Sequence, residues 1–361
     1  MSKSFVHLHA HTEYSMLDGA AKIQTYINRV KELGQPGAAI TDHGNLYGAL
    51  EFHKVAVKND INPIIGYEAY VTTESRFERP DRDKNKRYHL TLLAENNEGY
   101  WNLVKLASKA YTEGYYYKPR LDYELMREHS KGIIALSGCL GGEIAQHLAP
   151  DGSTEEGNSQ GERSYEKALS KASLYQEIFG KENFFIELHN HGIKQQEIIL
   201  PDLLNISKEI GAPLVATNDS HYVHTEDSSA HDALLCVQTN ATIDDNTRFK
   251  FEGQGYYVKS SDEMRNLFPQ EQYPDACDNT LAISERVKYK FKTGQYFLPA
   301  FPVQDPELTA EEYLKNLVYE GAKNVYKELS EEITERIEYE LDVINSMGFA
   351  SYFLIVGDLI S

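Results

Sequence analysis

Three cysteines in 361 residues, Cys139, Cys236 and Cys277, with no CxxC pair, do not make a disulfide framework. So sparse and odd a set suits a reducing compartment and leaves each thiol free to pack or to bind metal. No apolar run approaches the ~18–20 residues that a membrane helix needs. The opening, MSKSFVHLHAH, has no apolar stretch of signal-peptide type. Internal repeats and low-complexity tracts are missing. With 41% hydrophobic and 25% charged residues, disordered and collagen-like classes are excluded. Positive charge is short as well: 36 Lys and Arg stand against 55 Asp and Glu, a net charge of −19. Such a surface repels phosphate backbones, so a broad nucleic-acid groove is not expected. The excess is uneven, since residues 301–361 hold 13 acids and 4 bases. Phosphate chemistry would need a local reversal of sign, of the kind bound divalent cations supply.

What is present is enough chain for about two domains at ~150 residues each, or one α/β barrel of ~250 residues with an addition. Short apolar strands are expected at 5–12, 37–41, 62–71, 88–94, 132–137, 183–188 and 213–217. Helical spacing is expected at 23–33, 46–57, 98–111, 162–179 and 195–210. The polar stretches 73–86 and 150–163 read as exposed loops. Repeated strand–helix units with buried strands predict a largely parallel sheet. About seven units predict a closed, distorted β/α barrel over residues 1–286. Beyond it, a Pro-bearing linker at 296–303 leads to three acidic helices, near 309–329, 330–347 and 352–361, so residues 287–361 read as a second, partial and mainly helical region. The last string, SYFLIVGDLIS, lacks a capping signal and reads as an interruption of a longer chain.

The strongest chemical signal is HLHAHTEYSMLDG, residues 7–19. His7, His9 and His11 alternate along one expected strand and so share a face. Imidazole is a common ligand for zinc-like cations, and Asp18 follows in the next loop. A lone HxH is as often a hydrogen-bonded polar strand. Here similar residues recur near successive strand ends: Asp42-His43, Glu68, His89, Cys139, and Asp219 with His221. In barrels of parallel strands, sites sit at the C-terminal mouth. Mixed N, O and S ligands suit zinc, with manganese or magnesium as alternatives. One ion takes about four ligands, so this many candidates imply two or three divalent ions.

These residues also carry a family resemblance. FVHLHAHTEYSMLDGAAKI, AITDHGNLYGALEFH, PIIGYEAY, YHLTLLAEN, LSGC, VATNDSHY and HDALLCVQT resemble the PHP domain (polymerase and histidinol phosphatase) that opens bacterial DNA polymerase III alpha subunits. FKFEGQGYYVKS and NSMGFASYFLIVGDLIS extend the likeness over essentially the whole chain. The resemblance implies nine metal ligands: His9, His11, Asp18, His43, Glu68, His89, Cys139, Asp219 and His221. It implies one ion on His9, His11, Glu68 and Asp219, a second on Glu68, His89 and Cys139, and a third on Asp18, His43 and His221. Asp18, Glu68 and Asp219 are the expected catalytic carboxylates. Cys139 stands where many PHP phosphatases have His. The implied activity is a proofreading 3′–5′ exonuclease acting on a DNA 3′ end, inside a cytoplasmic replicative polymerase whose palm would begin in residues 287–361. Implied partners are the rest of the polymerase chain and replisome subunits such as a sliding clamp or a separate proofreading subunit, and no membrane. Without the palm aspartates, thumb and fingers, this chain is not expected to extend a primer. Two other readings share the barrel: a metal-stabilised docking module without nuclease activity, and a free-standing histidinol-phosphate phosphatase, against which the acidic helices argue.

Blander readings attach to other residues. His7 is expected to pack or to support a ligand. Asp42 either orients His43 or caps a helix. Tyr14 and Lys22 are close enough in sequence to serve a phosphate, although surface lysines are mostly solvated. His189-Asn190-His191 is a second HxH, read as unrelated to the metal set. Asp81-Arg82-Asp83 reads as solvated loop, Cys236 as core, and Tyr115, Tyr116 and Tyr117 as scattered packing.

Overall fold

Helical spacing and short apolar runs become alternating elements in the computed structural model, which describes residues 4–81, 86–149, 162–253, 255–292, 294–295 and 297–360. The loop expected at 150–163 lies almost wholly outside the described residues, as do Arg82 and Asp83. The chain divides into two units, Met1–Phe291 and Lys292–Ser361.

In the first unit, α1 (Ile23–Glu32) buries Ile23, Tyr26, Ile27 and Val30, the residues whose spacing predicts it. Strands β1 (Gly37–Ile40), β2 (Asn62–Val71), β3 (Tyr88–Ala94), β4 (Arg120–Leu121), β5 (Ile133–Leu136), β6 (Phe184–Leu188) and β7 (Leu214–Ala216) form one sheet. Its order is β1-β2-β3-β5-β6-β7, with β4 on β2. Helices α2 (Ala49–Lys58), α3 (Asn97–Thr112), α6 (Tyr165–Phe179) and α7 (Lys194–Ile210) fall where periodicity predicts them. The short α4 (Tyr123–Glu128), α5 (Glu143–Leu148), α8 (Ser228–Thr239), α9 (Ser261–Leu267) and α10 (Asp278–Arg286) complete the unit.

The expected largely parallel sheet needs one correction. β3 runs antiparallel to both of its neighbours, β2 and β5, while the other pairs are parallel. The cause is the connection. A parallel return needs a crossover of a dozen or more residues, usually a helix. Residues 72–87 are polar and form no described helix, so the chain simply doubles back. The reversal brings the start of β3, rather than its end, to the mouth where the other strands finish.

Residues 5–12 also depart from expectation. They make isolated bridges rather than a regular strand, pairing His7 with Ala38 and Ala10 with Ser220. Ala39 N–H donates to His7 O and Thr41 N–H to Ala10 O, while His11 N–H donates to Ser220 O and Ser220 N–H to His9 O. This segment therefore links β1 to the chain leaving β7 and completes the circuit. The strands are buried on both faces. Val6, Leu8, Ala39, Ile64, Leu93, Ile134, Leu136, Phe185 and Val215 pack together as one cluster, and Leu92, Ile133, Ala135, Phe184 and Ile186 join the separate cluster that includes α3 and α6.

The second unit holds α11 (Ala310–Val325), α12 (Glu331–Ser346) and α13 (Ala350–Ile360). Thr309 and Glu312 form a reciprocal cap at the start of α11, and Ser330 caps α12. Leu314, Leu341, Ala350 and Leu354 make its small core. Among the described residues no single helix is long and apolar enough to cross a membrane.

One close approach is testable. Asn96 caps α3 by accepting from Gly99 N–H at 3.1 Å, which draws the first helical turn onto Gly132. A Cβ on Gly99 would lie 1.7 Å from Gly132 O. Gly99→Ala is expected to lower the stability of the first unit by about 2–3 kcal/mol, as overpacking does. Its urea midpoint against that of the parent chain gives the measurement.

Candidate metal centre

The mouth of the sheet gathers the polar residues that the strands carry inward. The chain bends at His9, which breaks the alternation of the first three histidines. His7 turns away and its Nε2 lies 2.9 Å from Lys259 O, whereas His9 and His11 enter the mouth. Glu68 sits late in β2, held by backbone bonds from its N–H to Asp42 O and from Gly44 N–H to its own carbonyl. The reversed β3 delivers His89 from its N-terminal end, two pairs along from Glu68 in the β2–β3 register. Cys139 follows β5. Asp219 follows β7 with φ at +44°, in the left-handed region that Asp tolerates better than most residues.

Together the nine predicted side chains form one contiguous cluster. Glu68 is its hub. Its Oε2 lies 2.8 Å from His43 Nδ1 and 3.4 Å from His11 Nε2. Its Oε1 lies 3.1 Å from His89 Nδ1, 3.5 Å from His9 Nε2 and 3.6 Å from Cys139 Sγ. Asp219 Oδ1 lies 3.1 Å from His11 Nε2 and 3.4 Å from His9 Nε2. Asp18 Oδ2 lies 3.0 Å from His43 Nε2. His221 stacks on His11 with ring centroids 4.3 Å apart. Ligand-type atoms lie within 4.8 Å of one another in the sets His11, Asp18, His43, His221; His9, His11, Asp219; and His43, Glu68, His89.

The hydrogen bonds have a direction. His9 is anchored through Nδ1 by Glu187, His11 through Nδ1 by Ser15 Oγ, and His221 through Nδ1 by the Asp219 carbonyl. The Nε2 atoms of all three are buried without a hydrogen-bond partner, as are Asp18 Oδ1 and Asp219 Oδ1. An imidazole fixed on one nitrogen and bare on the other is the arrangement of a metal-binding histidine. Buried polar atoms otherwise find partners, so the donor set here fits divalent cations.

Charge within the cluster follows the same geometry. Burial pushes the Glu68 and Asp219 carboxyls up, but neighbouring imidazoles, His89 and His43 for one and His9 and His221 for the other, outweigh it and hold both well below the usual range. Burial pulls His9 down, and Asp219, Glu187 and Glu68 more than restore it. Burial and the neighbouring His11 lower His221 to about 3, which keeps it neutral and able to ligate. Burial, then Glu68 and Asp219, push the Cys139 thiol up.

Glu187, unmarked by any motif, is the residue that reading the sequence misses. Its carboxylate lies 2.7 Å from His9 Nδ1 and accepts from Gly138 N–H at 2.8 Å and Thr217 Oγ1 at 2.7 Å. The available signal was a lone acid inside the apolar strand β6, FFIEL. His189 Nε2 lies 3.0 Å from the same carboxylate, so His9, Glu187 and His189 make a fourth close set. His191 is held apart, with its nitrogens on Asn218 O and Gln196.

Other expectations resolve plainly. Asp42 neither touches a ligand's ring nitrogen nor caps α2, whose cap position is Gly48; it accepts from Thr12 N–H and Oγ1 and so ties down the 9–12 segment. Tyr14 donates to Glu51, Lys22 precedes α1 at the surface, and Cys236 is buried in α8. Tyr115 and Tyr117 are exposed, and Tyr116 donates to Pro80 O. A cleft opens over the cluster, and Phe249, Lys250, Phe251 and Tyr256 are among the residues that line it.

Comparison with known proteins gives two family matches: the PHP domain over residues 7–191 and the bacterial DNA polymerase III alpha NTPase domain over 312–361. The chain is 44% identical over 359 residues to DNA polymerase III subunit alpha of Treponema pallidum, covering 99% of this chain and 30% of that protein. It is 44% identical over 375 residues to the same subunit of Mycobacterium tuberculosis, again covering 99% and 30%. The chain thus spans about a third of the length of these curated relatives. Among solved structures, a putative metal-dependent phosphoesterase from Bifidobacterium adolescentis aligns with a TM-score of 0.37 at 11% identity, over 72% of this chain and 95% of that one.

The bend at His9 has a measurable consequence through His7. Burial holds its imidazole down, to about 4. Between pH 6.5 and about 4 the unfolded chain binds a proton here that the folded chain refuses, so stability falls as pH falls across that window. In metal-free protein, His7→Gln should flatten the decline of unfolding free energy by up to one proton, about 1.4 kcal/mol per pH unit. Urea titrations at several pH values give the slope.

Proposed function

The chain belongs to the PHP domain family, and from that premise we propose that its first unit is a metal-dependent phosphoesterase that removes nucleotides from a DNA 3′ end. The observation that carries this reading is the set of buried atoms that make no hydrogen bond, His9, His11 and His221 Nε2 with Asp18 and Asp219 Oδ1, gathered in one cluster with Glu68. His9, His11, Glu68 and Asp219 would hold one divalent ion. Glu68 would share a second with His89 and Cys139, and Asp18, His43 and His221 would hold a third. Zinc is the ion the mixed set suits best, with manganese or magnesium as alternatives. When bound, such ions activate water near neutral pH and neutralise the charge that develops on a phosphate.

The protein's own residues do the rest. Glu187 and Ser15 fix the tautomer and rotation of His9 and His11. Asp18, Glu68 and Asp219 supply the anionic charge that retains the cations. Water and substrate would reach the cluster through the cleft that His43, Glu68, His89, Cys139, Asp219 and His221 line. The whole protein is then a DNA-directed DNA polymerase of chromosome replication, with residues 287–361 leading into its palm. Its partners are DNA, the remaining polymerase chain and replisome subunits. A second reading draws on burial: His9 and His11 are fully enclosed and Glu68 is 1% exposed, as suits ions that staple a platform on which the polymerase or a proofreading subunit docks.

Digestion of a 3′-labelled strand by the metal-loaded chain separates the two readings. His9→Ala and Asp219→Asn are expected to cost at least about a hundredfold in rate, given the several kcal/mol a cation contributes. Rates equal to the parent's would sink the catalytic reading. Chelation should lower thermal stability by about 3–4 kcal/mol at saturating metal, read by calorimetry with and without EDTA. Glu187→Gln should weaken metal affinity by about 10–100-fold while leaving the nine ligands in place, measured by competition with a chromophoric chelator.

A further inference from the structure

The side of the cleft formed by residues 249–251 has no part in holding metal, yet it borders the cluster directly. The Phe251 ring meets the His221 ring edge-on at 4.7 Å. Tyr256, at 4.7 Å, and His231, at 4.9 Å, pack on the same ring and fix it. Phe249 packs on Phe251 at 5.8 Å, further out along the wall. Lys250, exposed between them, is the one lysine or arginine lining the cleft among the described residues. Glu252 lines it too, so the wall is not a general anion trap.

We propose that Phe249, Lys250 and Phe251 form the subsite for the 3′-terminal nucleotide, with the base stacked on the phenylalanines and the adjoining phosphate beside Lys250. This rests on the phosphoesterase reading above and names the substrate's binding mode. Every base presents a π-face, so stacking tolerates any sequence. One lysine in an otherwise acidic chain gives a local attraction for phosphate. Because one ring contact separates the wall from His221, a base seated there brings its phosphate to the metal cluster.

The test measures binding apart from cleavage. A 5′-fluorescein-labelled single strand, with a phosphorothioate as its last linkage to slow hydrolysis, is made with either an ordinary or an abasic 3′-terminal nucleotide. Anisotropy titrations with the metal-loaded 361-residue chain should show about tenfold tighter binding of the ordinary end. Phe249→Ala should erase that preference, and Phe249→Tyr should keep it. Lys250→Gln should weaken both strands alike and reduce the salt slope by about one. Equal affinities in the parent chain, or a preference that survives Phe249→Ala, would overturn the subsite. A preserved preference without cleavage of an ordinary 3′-labelled strand supports the subsite and refutes the nuclease reading. Cleavage without preference does the reverse.

Discussion

A carboxylate with almost no access to water, surrounded by four imidazoles and a thiol, is the constraint on which this domain depends. Glu68 cannot be solvated where it stands, and a buried charge without compensation costs several kcal/mol. Protons on His9 and His43, favoured by the surrounding carboxylates, compensate part of that charge, while burial drives His11 toward neutrality. A proton on an imidazole occupies a nitrogen that could otherwise ligate. Divalent cations serve it well, because neutral imidazoles and ionised carboxylates are the forms that ligate them. The anchoring bonds from Glu187, Ser15 and the Asp219 carbonyl hold the rings in place beforehand, so little reorganisation accompanies ion entry.

The sheet is arranged to serve this hub. An all-parallel barrel would bring only strand ends and their following loops to one mouth. Reversing β3 lets a residue at a strand's start, His89, reach the same place as Glu68, Cys139 and Asp219. The N-terminal segment gives up regular pairing for a related reason. A strict strand would carry His7, His9 and His11 on one face. The bend at His9 sends His7 to Lys259 O and leaves two ligand-type rings in the mouth. Asp42 secures the bend by accepting from Thr12, which is why a residue beside a ligand-type histidine does structural work there.

How legible this was depended on the kind of signal. Buried strands such as PIIGYEAY and helices such as 23–33 declare themselves, because every residue in them answers to one periodic environment. The direction of β3 was not legible in that way. It depends on the lack of a helix among the described residues between 72 and 87, and a polar loop looks the same whether the next strand returns parallel or antiparallel. Cys139 and Asp219 stood out because ligating residue types follow expected strands there, and His89 because it continues that series from within a strand. Glu187 did not, since it neither belongs to a motif nor lies in a loop; a lone acid in FFIEL is its one trace, and its burial among Thr91, Thr217 and Gly138 gives it a role. The two-residue β4 and the short helices α4 and α5 are held by tertiary contacts too local to leave a period.

A net charge of −19 opposes a site for phosphate unless the sign reverses locally. At physiological ionic strength, exposed charges are felt over ~8 Å. Residues 301–361 hold 13 acids and 4 bases, and the proposed site would meet phosphate through Lys250 and the cations that the nine candidate ligands would retain. Three bound divalent ions would carry +6 against −4 from Asp18, Glu68, Asp219 and an ionised Cys139. The sign at the reacting phosphate would then be positive while the surrounding surface stays negative. A domain so charged would attract a strand end most strongly where metal is loaded, which would tie substrate capture and chemistry to the same ions.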